Sequence, residues 1–274
     1  MSAMHFRHRL LQRLFWNPLG AAMARAFARF ALRFDTVVRN YSLITDTNGE
    51  RWLNTLLPEA PLVFDVGFHS GDSTAECLER RPAAKVHGFD PSRHGLGCYR
   101  ARFGPDPRVT FANVALSNAP GTLDFYDYQN MCNSLARRKE LPSETPTVYQ
   151  VKVETLDGYC QRLGVAHIDL LKIDAEGYDL QVLEGGIGLL RAQAVDLFMF
   201  EFGSGWAATR RYLWEADEFI KPLRYRLFRL FDGFLCPFAY DIRIDSCTTL
   251  PAMYVGVSES RLARGDIPLR AYRF

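Results

Sequence analysis

From residue 62 onward the chain repeats one pattern: a short, mainly apolar run, a turn, then a stretch with helical spacing. The runs are Leu62–Val66, Lys85–Phe89, Val109–Leu116, Ile168–Ile173 and Val195–Phe202. Their length suits strands rather than core helices, and their lack of polar alternation suits strands covered on both faces. Ser73–Arg81, Gly95–Phe103, Leu156–Leu163, Leu180–Leu190 and Ala216–Leu223 read as helices between and after them. Strand alternating with helix predicts an α/β fold, a doubly wound and mostly parallel sheet. Tyr225–Phe231 and Met253–Val257 are expected to close it as an antiparallel pair, with Phe234–Ile244 between them. Gly121–Tyr128 and Val148–Thr155 also read as extended, and the polar stretch Gln129–Thr147 between them is long enough for a lid or substrate loop.

The first 58 residues stand apart from this pattern. We expect an N-terminal helical extension over 1–58 and one domain over 59–274. Residues 5–34 carry Arg7, Arg9, Arg13, Arg25, Arg29 and Arg33, and no acid precedes Asp35. Phe27, Phe30 and Phe34 recur at helical spacing, and Pro18 and Gly20 divide the segment in two. Two readings stay open: packing on the domain or a second copy in a homo-oligomer, or a basic helix lying on an anionic membrane. Glu50–Leu57 reads as a further helix, stopped by Pro58.

Whole-chain composition excludes some classes. A net charge of +2 offers no basic surface for nucleic acid. The six cysteines form no C-x-x-C pair and no cluster with zinc spacing, so they read as reduced thiols. No apolar run approaches the roughly 18 residues of a membrane span, and arginines interrupt any signal-like region near the start. The expected location is cytoplasmic, with peripheral membrane contact as the variant reading.

Four motifs carry chemistry. The run Asp65-Val66-Gly67-Phe68-His69-Ser70-Gly71 joins a strand to a helix, where open α/β sheets bind ligands. Its G-x-x-x-G spacing is not the G-x-G-x-x-G of dinucleotide sites. An acid ahead of the first glycine repels a pyrophosphate and suits a cationic amino-acid group, which favours S-adenosylmethionine over NAD. Asp90-Pro91 ends the second strand, where a carboxylate can accept bonds from both ribose hydroxyls. Asn113 and Ala115, after the third strand, are placed at the adenine end. The fourth strand empties into Asp174, Glu176 and Asp179. Asp174 and Glu176 are candidate proton acceptors for a substrate hydroxyl, and Asp179 a helix-start residue. His69 is a second candidate base. Glu201 ends the fifth strand; with Asp174 it is a candidate hard-oxygen pair for Mg²⁺, although no metal is assigned. Asn133 and Ser134 are expected to line the acceptor pocket, with the basic triplet Arg137-Arg138-Lys139 facing a phosphate or solvent.

Asp65-x-Gly67-x-x-x-Gly71, Phe89-Asp90-Pro91, Val153-x-Thr155-Leu156-Asp157, the Ile168–Gly177 run with Lys172-Ile173-Asp174-Ala175-Glu176-Gly177, and Val182-Leu183-Glu184-Gly185 together resemble the FkbM family of methyltransferases. The resemblance implies a class I fold with a seven-stranded sheet. It also implies O-methylation of a sugar, glycan or polyketide-like acceptor using S-adenosylmethionine. Asp65, Gly67, Phe68, His69, Gly71, Asp90, Pro91, Asn113, Ala115 and Asp174 would then bind the cofactor. The family carries Ala-Asn where this chain has Phe68-His69. A methyltransferase fold acting as a non-catalytic partner, and a nicotinamide-dependent oxidoreductase, remain the alternatives.

Overall fold

The computed structural model describes residues 49–274 except 130–131, 140–144, 246–250 and 272–274; before residue 49 it describes only 19, 22, 23, 25–27 and 30. The chain divides into two compact units, Met1–Asp46 and Thr47–Phe274. The described positions of the first unit are helical and exposed; the rest of the basic segment, including Phe34, lies outside the described residues. The boundary falls earlier than the expected 58/59. The reason is packing: helix α1 (Glu50–Leu53) and the turn after it bury Leu53 and Leu57 in the same core as Val63, Leu170 and Leu197.

The second unit is built on an eight-stranded sheet. Its strands are β1 (Leu62–Val66), β2 (Lys85–Phe89), β3 (Val109–Ala112), β7 (Ile168–Ile173), β8 (Val195–Phe202), β9 (Tyr225–Phe231), β10 (Phe234–Pro237) and β11 (Ala252–Ser258), in the order β10-β9-β11-β8-β7-β1-β2-β3. Strands β3, β2, β1, β7 and β8 run parallel. β11 is antiparallel to β8 and β9, which is the expected closing pair, and β10 adds an edge hairpin as the eighth strand.

Successive side chains of the central strands point to opposite faces. Phe64, Val66, Leu171, Ile173, Phe198 and Phe200 fill one core. Val63, Leu170, Leu197 and Met199 fill the other. Helices α2 (Asp72–Arg80) and α3 (Arg93–Arg102) cover the second face, burying Cys77 and Leu78. Helices α4 (Leu156–Leu163), α5 (Asp179–Glu184), α6 (Ile187–Arg191), α7 (Ser204–Thr209) and α8 (Leu213–Ile220) cover the first. Burial on both faces is why the strands carry no polar alternation. No helix among the described residues is long and apolar enough to cross a membrane.

Two sequence expectations are corrected. Val109–Leu116 is not one strand. β3 ends at Ala112, and β4 (Ala115–Leu116) turns away to pair with β6 (Thr147–Glu154), which also pairs with β5 (Gly121–Asp127) in a separate three-stranded sheet. Leu180–Leu190 is not one helix. A Cβ on Gly185 would lie 2.1 Å from the Ser117 carbonyl oxygen, so the chain passes this point as glycine and breaks into α5 and α6. The T-L-D residues are structural for the same crossing: Thr155 Oγ1 accepts the Gly158 N–H and caps α4, while Asp157 accepts the Gly188 and Leu189 N–H groups at the start of α6.

Candidate active site

The carboxyl ends of β1, β2, β7 and β8 open into one cavity of about 380 Å³. Its wall includes Gly67, Phe68 and His69 after β1, Asp90 and Pro91 after β2, Val114–Leu116, Lys172 and Asp174 of β7 and its turn, and Glu201 of β8. Phe125, Cys132, Asn133 and Leu135 close it from the small sheet and its loop.

The β1 turn is shaped by backbone contact. Gly67 has φ 85° and packs so closely that a Cβ would meet the Asp174 carbonyl oxygen at 2.0 Å. Phe68 is buried edge-on against Phe103 and Phe111. His69, also in the left-handed region at φ 46°, donates its N–H to Asp90 Oδ2 at 2.7 Å. Its ring lies 4.6 Å from His94, at the cavity wall. Asp90 Oδ1 accepts the Ser92 N–H at 2.7 Å, so backbone donors hold both oxygens of this buried carboxylate.

Some expected contacts are absent from the wall. Asp65 is 2% exposed and turned toward α2, because its neighbours along the strand, Phe64 and Val66, occupy the opposite face. It accepts from Thr74 Oγ1 at 2.7 Å and lies 3.4 Å from Lys172 Nζ. Lys172 is 3.6 Å from Asp174, so Asp65 can reach the cavity's charge only through this lysine. Burial opposes the lysine's charge, but Asp65, Asp174 and Glu50 outweigh it and hold the pKa up. Gly71 starts α2 behind Phe68, and a Cβ there would strike the Phe68 and Phe103 rings. Asn113 is absent from the wall because its amide donates to the Asp90 carbonyl oxygen at 2.6 Å. The wall at this point is apolar Val114, Ala115 and Leu116.

The acids divide by environment. Asp179 is fully buried and accepts the Ala175 and Gly177 N–H groups, which folds the turn. Burial first, then Asp174, pushes its carboxyl up to about 8. Glu176, at φ 49°, is on the wall but pairs with Arg138, whose other nitrogen donates to Ser204 Oγ at 2.8 Å. Ser134 is not on the wall; its Oγ donates to the Glu176 carbonyl oxygen at 2.9 Å, while Asn133 lines the cavity. These bonds strap the loop after β5 across the site. The basic triplet is therefore not one charged patch: Arg137 and Lys139 are exposed and Arg138 is buried. Nothing in the spacing of three consecutive cations distinguishes the middle one.

Asp174 keeps its side chain 44% exposed at the cavity. Glu201 stands beside it, and burial, then Asp174, Glu176 and Asp179, push its carboxyl up to about 8. Phe125 is a wall residue that no sequence motif marked. Among the described residues, three potential ligand atoms converge only at His167, Asp169 and Asp196. Those residues sit at the opposite ends of β7 and β8, so Asp174 and Glu201 belong to no such group.

Several solved structures are similar at a low level. The FkbM methyltransferase of Methylobacillus flagellatus KT matches with TM-score 0.44 and 13% identity over 72% of this chain and 44% of that one. The plantazolicin methyltransferase BpumL matches with TM-score 0.41 and 12% identity over 91% and 94%. The 2-O-methyltransferase NoeI of Sinorhizobium fredii (strain NBRC 101917 / NGR234) is 29% identical over 139 residues, 46% of this chain. The match spans 57% of that relative's length. The methyltransferase FkbM domain model matches residues 65–230, which is more than half of the chain and takes in the β1 turn, Asp90, the acid turn and Glu201. The chain belongs to the FkbM methyltransferase family.

Proposed function

We propose that this protein transfers a methyl group from S-adenosylmethionine to a hydroxyl of a sugar, glycan or polyketide-like small molecule. The observation that carries this reading is one cavity holding a buried ribose-type acceptor, Asp90, together with the carboxyl pair Asp174 and Glu201. S-adenosylmethionine, when bound, supplies an electrophilic methyl group on a cationic sulfur. The residues present fit it. Asp90 is oriented by two backbone donors and keeps lone pairs for two hydroxyls. Val114, Leu116, Phe125 and Leu135 form an apolar slot suited to a flat base. Acids at the far end favour a cation and repel the pyrophosphate of a dinucleotide.

Glu201 takes the proton of the acceptor hydroxyl as that oxygen takes the methyl group. Burial and the neighbouring carboxylates raise its pKa to about 8, so that once ionised it is a stronger base than an ordinary carboxylate. Glu176 holds the strap instead, since its carboxylate is committed to Arg138. Much of the acceleration would come from aligning the two reactants. The name of the relative NoeI, a 2-O-methyltransferase, favours oxygen as the receiving atom.

Arg138→Ala removes the strap's anchor and its ion pair with Glu176, a loss of about 1–3 kcal/mol for a partly buried charged bond. We expect kcat/KM for the acceptor to fall at least tenfold, with Arg138→Lys recovering only part because it lacks the two-pronged geometry. Steady-state kinetics on both variants checks this. The function itself is tested by mixing the purified chain with S-adenosylmethionine and a panel of glycosides and lipid-linked glycans. S-adenosylhomocysteine should form in step with a methyl ether. Absence of S-adenosylmethionine binding by calorimetry at millimolar ligand overturns the reading.

A further inference from the structure

At the end of the sheet away from the cavity, β7 and β8 bring three metal-type ligands together. Ile168 pairs with Val195 and Leu170 with Leu197, so Asp169 and Asp196 stand side by side on neighbouring strands. Like charges at that spacing repel, and the pair needs a cation. His167, just before β7, turns its imidazole onto the same point. Its Nε2 lies 3.7 Å from Asp169 Oδ1 and 3.7 Å from Asp196 Oδ1. All three ligand atoms lie within 4.8 Å of one another. Separations of 3.7 Å are too long for hydrogen bonds. The other two oxygens are held from outside the group. Asp169 Oδ2 accepts the Leu62 N–H at 2.8 Å, and Asp196 Oδ2 accepts from Arg264 at 2.7 Å. Neither Oδ1 accepts a hydrogen bond among the described residues. Asp196 is only 4% exposed, so a carboxylate taken almost wholly out of water aims one unbonded oxygen at the imidazole.

We propose that His167, Asp169 and Asp196 bind one divalent cation of the zinc class, which clamps the entries of β7 and β8. Tetrahedral ligands at about 2.1 Å from zinc stand about 3.4 Å apart. The two 3.7 Å pairs therefore need to close by only a few tenths of an ångström. Three protein ligands leave the fourth position to water or to a further ligand. The imidazole decides the class of metal. Magnesium and calcium take oxygen ligands, whereas an imidazole beside carboxylates suits zinc and its transition-metal neighbours. Charge agrees: two carboxylates against Arg264 leave one negative charge while His167 is neutral. The Leu62 N–H and Arg264 act on the carboxylates as outer partners do at metal sites, by fixing the direction of each free oxygen. The His167 side chain is half-exposed, which leaves the cation a way in from solvent. Asp174 follows Asp169 along the same strand, roughly 17 Å away at the rise of extended chain. The site is thus separate from the cavity, and the inference does not rest on the proposed methyl transfer.

The test is calorimetry and thermal melting of the full chain, stripped with chelator and titrated with Zn²⁺, Mg²⁺ and Ca²⁺. One Zn²⁺ should bind per chain, about tenfold or more tighter than Mg²⁺ or Ca²⁺. His167→Ala and Asp169→Asn should each lose about tenfold or more in zinc affinity. Zinc should raise the melting temperature of the wild type and leave both variants where they stand. Because His167 is half-exposed, its alanine variant should melt with the metal-free wild type, which separates lost binding from misfolding. Failure of the wild type to bind Zn²⁺ at millimolar metal overturns the proposal and leaves a protonated imidazole as the bridge between the two carboxylates. Zinc binding by His167→Ala at wild-type affinity also overturns it and assigns the metal to other groups of the chain. Equal affinity for Mg²⁺ and Zn²⁺ overturns the zinc class.

Discussion

Glu201→Gln is expected to lower kcat for methyl transfer by about 10²–10⁴-fold, the usual contribution of a positioned general base. The wild-type enzyme should show a rate that climbs with pH through a midpoint at or below about 8 and then levels off. The sign follows from the pKa. Burial and the neighbouring carboxylates raise the Glu201 carboxyl above its ordinary value, so it is protonated and idle as a base at low pH. It gains its basic form only as pH approaches 8. A bound sulfonium cation favours the carboxylate and shifts the rise downward, never upward. Stability separates this outcome from misfolding. A raised carboxyl pKa in the folded state costs stability as pH climbs from the unfolded value toward 8. The Gln variant carries no such charge and should melt at least as high as wild type at pH 8. A variant within threefold of the wild-type rate and with the same pH profile removes Glu201 as the base. Asp174→Asn then becomes the next measurement, since that carboxylate shares the wall.

Asp90→Ala is expected to weaken S-adenosylmethionine binding by about 10²–10³-fold. Two hydroxyl bonds to a charged acceptor contribute about 1.5–3 kcal/mol each. The loss is not confined to the hydroxyl bonds, because the same carboxylate holds the His69 and Ser92 N–H groups at 2.7 Å. Removing it leaves both donors unpaired and lets the β1 turn drift from the cavity. Asp90→Asn keeps the volume and one oxygen, so it should bind more tightly than the alanine variant and more weakly than wild type. Calorimetry with NAD as the control ligand reads this directly. Binding by the alanine variant within threefold of wild type would dissociate Asp90 from the cofactor.

The sheet was legible because burial on both faces writes itself into composition. Leu62–Val66, Ile168–Ile173 and Val195–Phe202 are strands with the bounds that their apolar runs predicted. The breaks were less legible. The turn between Ala112 and Ala115 is marked in the sequence by Asn113 alone, and only pairing with β6 pulls Ala115–Leu116 out of the main sheet. Gly185 was visible as a glycine, but its helix-breaking role depends on Ser117, a residue remote in the chain.

Within the candidate site, local geometry was readable and side-chain allegiance was not. A strand end followed by glycine or an acid locates the ligand edge of an open sheet, so Gly67, Asp90, Asp174 and Glu201 could be placed from order alone. Whether an acid faces the cavity or the layer beneath depends on which side of the strand it occupies and on what sits there. Asp65 went to Thr74 and Lys172, Asn113 to the Asp90 carbonyl, and Glu176 to Arg138. Arg138 is the extreme case: in sequence it is the middle of three cations, and in space it is the buried one. The chain's order of apolar runs and acids thus determined the fold and the edge where chemistry can occur. Only tertiary packing decided which charges neutralise one another and which remain for a ligand, because ion pairing depends on distance in space and burial, neither of which sequence spacing records.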